Sequence, residues 1–427
     1  MNVRPGNWYR VLTRENEFVG LSMPDSDAKV LRLKLESGYN VGVLRSHIVR
    51  ITAVRKKVSV VKKVSSTPTQ KKSLPLISIL HTGGTIASKV DYTTGGVTAQ
   101  FSDSDLLEMF PQLKDLARIS SRLLSNMFSE DIRFSHMNII AQAVFKELTK
   151  KEVQGVIITH GTDTLAFTAA ALSFLLEGLA KPVVLVGAQR SSDRGSSDAR
   201  LNLLCAAQFI LHAPSCGEVV VCMHESSEDT TCALHRGVKV KKMHTSRRDA
   251  FVSINDSCLA TITLDGQLHW VKEPRTHSAP SRVVQLKENL NIGVLVARPN
   301  MFAKELLAYR SCDGLLLVGS GLGHFPLNQF DARTKENGKI FQALVRLSKK
   351  MPVVMVSNCI SGRLNLQVYG TGRKLLAAGV LGHLLDLHFD VAYMKLAYLL
   401  SCQKKHLRTL YAQDLRGEIC PRSTYTP

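Results

Sequence analysis

The sequence predicts an α/β protein with two domains built on parallel sheets, preceded by a small N-terminal β-barrel-like module. Three observations predict it. Short runs rich in Val and Ile ("LISIL", "GVIITH", "PVVLVG", "EVVVCM") recur from Leu76 onward with helical stretches between them. That order suits a sheet buried on both faces by crossover helices. A second, shorter series ("NIGVLVA", "DGLLLVG", "PVVMVS") follows the polar stretch "EPRTHSAPSR". Ahead of both, Leu31, Leu33 and Leu35 alternate with Arg32, Lys34 and Glu36, the period of a half-buried strand.

Each element follows in order. Residues 1–51 form the small β module, with "SGYN" as a turn before "VGVL". Residues 52–75 are a basic linker, carrying Arg55, Lys56, Lys57, Lys62, Lys63, Lys71 and Lys72 and no acid. Like charges repel and little there can be buried, so a solvated tether is expected, with an RNA-contacting arm as the alternative. Residues 76–272 are the large domain. In "DTLAFTAAALSFLLEGL", Leu165, Ala169, Leu172, Leu176 and Leu179 recur at helical spacing, and Gly178 and Pro182 mark the end. Residues 273–290 are a connector, and residues 291–427 a smaller C-terminal α/β domain with a tail.

Composition narrows the class. With 44% hydrophobic and 21% charged residues in 427, the chain is globular and long enough for more than one core. No apolar run approaches the roughly 18–20 residues that span a bilayer. "MNVRPGNWYR" has no apolar run after its first basic residue, so no secretory signal and no membrane association are expected. The nine cysteines form no Cys-x-x-Cys pair. A metal knuckle or disulfide scaffold is therefore not expected, and they read mostly as small buried thiols of a reducing, cytoplasmic compartment. The net charge of +20 attracts polyanions, or serves solubility alone.

In open α/β sheets, ligands bind beyond the carboxyl ends of the strands. The loop after "LISIL" offers Thr82, Gly83, Gly84 and Thr85; the loop after "GVIIT" offers His160, Gly161, Thr162, Asp163 and Thr164. These loops are expected to share one rim, where glycines let other groups approach the backbone closely. Thr162 and Asp163 also stand where a helix begins, so capping is their alternative role. A threonine hydroxyl is a poor nucleophile unless a neighbour takes its proton. "HRGVKVKKMHTSRRDAF" supplies Lys239, Lys241 and Lys242 as candidates. Crowded cations and desolvation disfavour the charged amine, so one of them is a candidate neutral base; a solvated basic loop is the alternative. No phosphate-loop spacing, Gly-x-Ser-x-Gly elbow or His-Glu-x-x-His pair occurs.

Together, "TGGTIA" at Thr82–Ala87, "HGTDT" at His160–Thr164 and "GAQRSSDRGSSDARLN" from Gly187 resemble the L-asparaginase/glutaminase family of amidohydrolases. The resemblance runs from about Leu76 to the chain end and implies the two-domain asparaginase-like fold. A finer resemblance is to the GatD family, subunits of the archaeal glutamyl-tRNA(Gln) amidotransferases. It is carried by the N-terminal β module, "SGYNVGV", "KKMHTSRRDAF", "GSGLGHFPLN", "VYGTGRKLLAAGV" and "LYAQDLRGEICPR". The finer resemblance implies a glutaminase that supplies ammonia to an amidotransferase partner subunit, GatE. That partner uses ATP and Mg²⁺ to convert Glu-tRNA(Gln) to Gln-tRNA(Gln). No cofactor or metal is implied in this chain, tRNA is met through the partner, and a homodimer within a heterotetramer is expected. The other readings are a free-standing L-asparaginase and a non-enzymatic RNA-associated scaffold.

By resemblance, Thr85 matches the first-loop nucleophile. Thr162, Asp163 and a lysine form a second triad; counting back from Phe251, Lys242 fits best, with Lys239 and Lys241 as alternatives. Ser129 and Glu130 match contacts to the substrate α-carboxylate and α-amino groups. Gly84, Gly161 and Ala188 match the substrate-binding wall, with backbone N–H groups at Thr162 and Ala188 holding the oxyanion. Tyr92 matches the tyrosine of a flap that also contains Gly95, Gly96 and Thr98. Which threonine attacks stays open. One departure stands out: after "AAGV", where the family carries an acidic, proline-containing stretch, this chain reads "LGHLLDLHFDVAYMK", with Asp386 and Asp390 as its acids.

Overall fold

The computed structural model describes residues 3–423, except 15, 25–28, 36–39, 55–72, 85–87, 91–96, 100–105, 108, 191–195 and 277–280, with backbone alone at 40, 88–90 and 97–99. The linker lysines and arginine named above therefore lie outside the described residues.

Five strands, β1 (Trp8–Thr13), β2 (Glu17–Ser22), β3 (Val30–Leu35), β4 (Asn40–Leu44) and β5 (Ile48–Ala53), make one antiparallel sheet in the order β4-β3-β2-β1-β5. Tyr9, Val11, Leu31, Leu33 and Val43 form its core. The expected barrel is not closed, because β4 and β5 do not pair with each other. The sheet nonetheless curls. Only the turn Arg45–His47 joins β4 to β5, a reach of about 14 Å at most, whereas flat strands would hold these edges about 19 Å apart. Three residues bring the edges near but leave no length to align them as a ladder.

The large domain holds an eight-stranded sheet. In chain order its strands and side ribbons are β6 (Leu76–His81), the hairpin β7 (Ser88–Val90) and β8 (Val97–Ala99), β9 (Arg118–Leu123), β10 (Val153–Thr159), β11 (Leu176–Glu177), β12 (Val183–Val186), β13 (Val219–His224), β14 (Thr231–Arg236), the hairpin β15 (Val240–Lys242) and β16 (Phe251–Ser253), β17 (Ala260–Thr263), β18 (Leu268–Trp270) and β19 (Arg282–Val283). The sheet order is β18-β17-β14-β13-β12-β10-β6-β9. Strands β9, β6, β10, β12 and β13 are parallel; β14, β17 and β18 run antiparallel beyond them.

The apolar runs are buried on both faces, as their composition predicts. Leu80, Val156 and Ile158 face one core, and Ile77, Ile79 and Ile157 the other. Helices α1 (Phe134–Leu148) and α2 (Leu165–Leu175) fill the first core; α3 (Ala199–His212) fills the second. Helix α2 is shorter than its periodicity predicts. It stops at Leu175, because Leu176 and Glu177 turn extended and pair with β19. Residues expected only to connect the domains are pinned in other ways too: Asn138 exchanges two hydrogen bonds with the backbone of Leu286.

In the smaller domain, β20 (Ile292–Val296), β21 (Gly314–Gly319) and β22 (Val353–Ser357) are parallel. Helix α4 (Lys335–Lys350) covers one face and α5 (Phe389–Cys402) the other. Helix α5 also packs on α2, with Phe174 stacked on Tyr398 and Phe167 edge-on to Phe389. One core thus runs through both domains. All nine cysteines are free thiols; four are buried, four half-buried and one, Cys359, exposed. Among the described residues no helix is long and apolar enough to cross a membrane.

Candidate active site

Four adjacent parallel strands, β9, β6, β10 and β12, end on one rim. The loop after β6 lies against the loop after β10: Thr82 donates from both its backbone N–H and its hydroxyl to the Thr159 carbonyl. Gly84 has φ +85°, and a Cβ there would sit 2.7 Å from the Gly161 nitrogen. Only glycine meets both demands. A Cβ on Gly161 would in turn lie 2.7 Å from the Ser129 Cβ and 2.8 Å from its Oγ. The glycines draw three loops into contact, so a ligand on the rim touches all of them.

Ser129 and Glu130 open a short 3₁₀ turn, Ser129–Asp131, in the loop after β9. Ser129 is buried and Glu130 exposed. The Thr164 hydroxyl donates to the Ser129 carbonyl at 2.6 Å, tying this turn to the start of α2. The capping alternative for Thr162 and Asp163 fails: α2 begins at Leu165 and Thr164 is its flanking residue.

Thr162 and Asp163 turn instead to Lys242, at the end of β15. Its Nζ donates to Thr162 Oγ1 at 2.8 Å and to Asp163 Oδ1 at 2.8 Å. Side-chain exposure is 14% for Lys242 and 65% for Asp163, so the amine is held from below while the carboxylate faces solvent. The two alternative lysines are occupied elsewhere. Lys239 is paired with Asp386 at 3.0 Å and Lys241 with Asp390 at 2.8 Å. The three lysines are therefore not a cluster of mutually repelling cations, as the sequence suggests; strand alternation separates them and each meets its own carboxylate.

Uncharged histidines support the rim. His160 is buried, which pushes its pKa down to about 4. Its Nδ1 donates to the Gly161 carbonyl at 2.7 Å, and its Nε2 accepts from the Thr168 hydroxyl at 2.9 Å, the only tautomer that satisfies a carbonyl acceptor. His81, at the end of β6, is also pushed down to about 4 by burial and lies between Thr159 and Ser121. The loop after β12 carries Ala188, which is buried. Asp198 accepts from the backbone of Gln189 and Arg190, while Asn202 donates to the Gly187 carbonyl. These four side chains were not read from the sequence as site residues. The available signal was Asp198 and Asn202, four apart on the first turn of α3 and so on one helix face.

Two expected residues, Thr85 and Tyr92, lie outside the described residues, as do Gly95 and Gly96; Thr98 is on β8. Of the others, Gly84, Gly161, Thr162, Asp163, Ser129, Glu130 and Ala188 stand on the rim loops, and Lys242 reaches them from β15.

Residues 76–276 match the family described as Asparaginase, N-terminal, and residues 292–409 the Glutaminase/Asparaginase C-terminal domain. Residues 3–54 match the GatD N-terminal domain. The chain is 40% identical over 435 residues to the GatD subunit of glutamyl-tRNA(Gln) amidotransferase from Thermococcus kodakarensis, covering 98% of this chain and 95% of that one. The same subunit from Archaeoglobus fulgidus is 38% identical over 427 residues, covering 98% and 96%. Among solved structures, the thermostable L-asparaginase from Thermococcus kodakarensis superposes with a TM-score of 0.72 at 28% identity, over 81% of this chain and all of that one. L-asparaginase I from Vibrio cholerae does so at 0.66 and 25% identity, over 82% of this chain. An asparaginase body behind a GatD N-terminal domain, aligned nearly end to end with these relatives, places the chain in the GatD family of glutamyl-tRNA(Gln) amidotransferase subunits.

Proposed function

We propose that this chain is the glutaminase of a tRNA-dependent amidotransferase, releasing ammonia that a partner subunit uses to convert Glu-tRNA(Gln) to Gln-tRNA(Gln). The observation that carries the reading is Lys242 Nζ, 2.8 Å from both Thr162 Oγ1 and Asp163 Oδ1. A hydroxyl, an amine and a carboxylate in series form a proton-transfer unit suited to acyl transfer. A threonine oxygen, Thr85 or Thr162, attacks the carboxamide carbon of glutamine. Backbone N–H groups of the rim loops hold the oxyanion. Ammonia leaves, and water then cleaves the acyl ester. Lys242 in its uncharged form takes the hydroxyl proton, and Asp163 orients the amine. Ser129 and Glu130 hold the substrate's α-carboxylate and α-ammonium; an exposed carboxylate at Glu130 suits the latter. ATP and Mg²⁺ act in the partner, and two copies of this chain pair within a heterotetramer.

The test uses the chain purified with its partner subunit, charged with Glu-tRNA(Gln). Thr162→Ala and Lys242→Met are each expected to lower glutamine-dependent amidation by about 10³-fold or more. Adding ammonium salt is expected to restore amidation, because only the ammonia source is lost. Full glutamine-dependent activity in either variant would refute this assignment.

A further inference from the structure

The hairpin that carries Lys242 is held from behind by the other domain. From Lys239 to Met243 the chain is extended, with Ile254 donating to the Lys239 carbonyl and Met243 to that of Ala250. Successive side chains therefore point to opposite faces. Val240 and Lys242 face the large domain, Val240 in its core and Lys242 at Thr162 and Asp163. Lys239 and Lys241 face the smaller domain.

There Lys239 meets Asp386, with side chains 2% and 1% exposed, and Lys241 meets Asp390, 20% and 7% exposed. Asp386 is itself fixed by the backbone N–H of Cys420, and Asp390 stands in the first turn of α5, where the helix dipole favours a carboxylate. His388, between the two in sequence, is buried and uncharged: burial, then Lys241 and Lys239, push its pKa down to about 3. The end of the hairpin is tied to the same domain, since Asn255 donates to the Asp386 carbonyl and accepts from the Gly362 N–H.

We infer that Asp386 and Asp390 are positioning residues for Lys242. By gripping the lysines on one face of β15 they set the height and direction of the amine on the other. The segment where this chain departs from its family's acidic, proline-containing stretch thus acts on the catalytic lysine of its own chain. The inference rests on the functional reading above for its kinetic consequence, but not for its geometry.

The experiment uses the full chain carrying Asp390→Asn, Asp390→Glu or Asp386→Asn. Glutamine hydrolysis is measured, and the reaction of Lys242 with an amine-selective acylating reagent is followed separately by peptide mass spectrometry. In Asp390→Asn, Lys242 is expected to acylate several-fold faster, with kcat lowered about tenfold and KM changed less than about twofold. Asp390→Glu, which keeps the charge, is expected to recover most of both. Should Asp386→Asn fail to fold, the half-buried Lys241–Asp390 pair decides the matter. A lowered melting temperature with Lys242 acylation and kcat unchanged would overturn the inference, leaving the pairs as mere domain glue. If the unaltered chain hydrolyses no glutamine, acylation alone decides: faster labelling in the variants supports the clamp while the glutaminase reading fails.

Discussion

At the scale of single residues, the site combines one solvated carboxylate with several buried groups kept uncharged. Burial holds His81, His160 and His235 down to about 4, and burial with two nearby lysines holds His388 down to about 3. The unfolded chain binds protons at these histidines near the ordinary value of 6.5. Between that value and the folded one, the unfolded state holds more protons, so stability falls as pH falls. The histidine contribution is complete above about pH 7, declines through pH 6 and 5, and is lost near pH 4. Thermal melting across this range should show a progressive fall. Replacing His160 by Gln should flatten part of it, since a shift this size is worth at most about 3 kcal/mol. A melting temperature independent of pH between 7 and 4 would count against the buried neutral histidines.

At the scale of elements, the rim is made by close backbone approach. Gly161→Ala puts a methyl 2.7 Å from the Ser129 Cβ, so the turn holding Ser129 and Glu130 must retreat. Overpacking of this kind costs about 1–3 kcal/mol. The expected outcome is a larger loss in kcat/KM than in stability, checked by steady-state kinetics beside urea unfolding. Much of this level was legible in the sequence. The Val- and Ile-rich runs are the parallel strands, and the Thr-Gly-Gly and His-Gly-Thr-Asp loops do meet at their carboxyl ends. Counting back from Phe251 reached Lys242. What was hidden is what depends on distant partners. Nothing local in "VKVKK" says that Asp386 and Asp390, roughly 150 positions away, neutralise the other two lysines. Nor does the periodicity of α2 reveal that β19 captures Leu176 and ends the helix early. The open N-terminal sheet was missed for a related reason: strand patterns show which face is buried, not whether the outermost strands pair.

At the scale of the whole molecule, the C-terminal tail binds the domains together. Lys395 on α5 pairs with Glu418 at 2.7 Å, both side chains fully buried. Arg416 donates to the Ser173 carbonyl and to Glu177 of the large domain, and Arg275 pairs with Asp414. Removing one partner of a buried pair leaves the other charge uncompensated, at a cost of about 3–5 kcal/mol. Glu418→Gln should therefore shift the urea midpoint strongly, whereas Arg275→Gln, at a half-exposed pair, should shift it little. Equal shifts in the two variants would show that burial is not what matters at Lys395. The net charge of +20 belongs to this scale as well. Association with Glu-tRNA(Gln) should weaken steeply as salt rises, a trend that filter binding across salt concentrations would check.

The alternation along β15 also makes this ribbon uniquely intolerant of a frameshift in its pairing. Sliding the strand by a single position would present Lys241 to the threonine hydroxyl and push Lys242 toward the carboxylates behind it. The two amines are chemically identical, so such a slipped ribbon would keep every charge paired and fold well, yet carry its working group on the wrong backbone atom. An enzyme assembled that way would pass every test of shape and fail only at turnover.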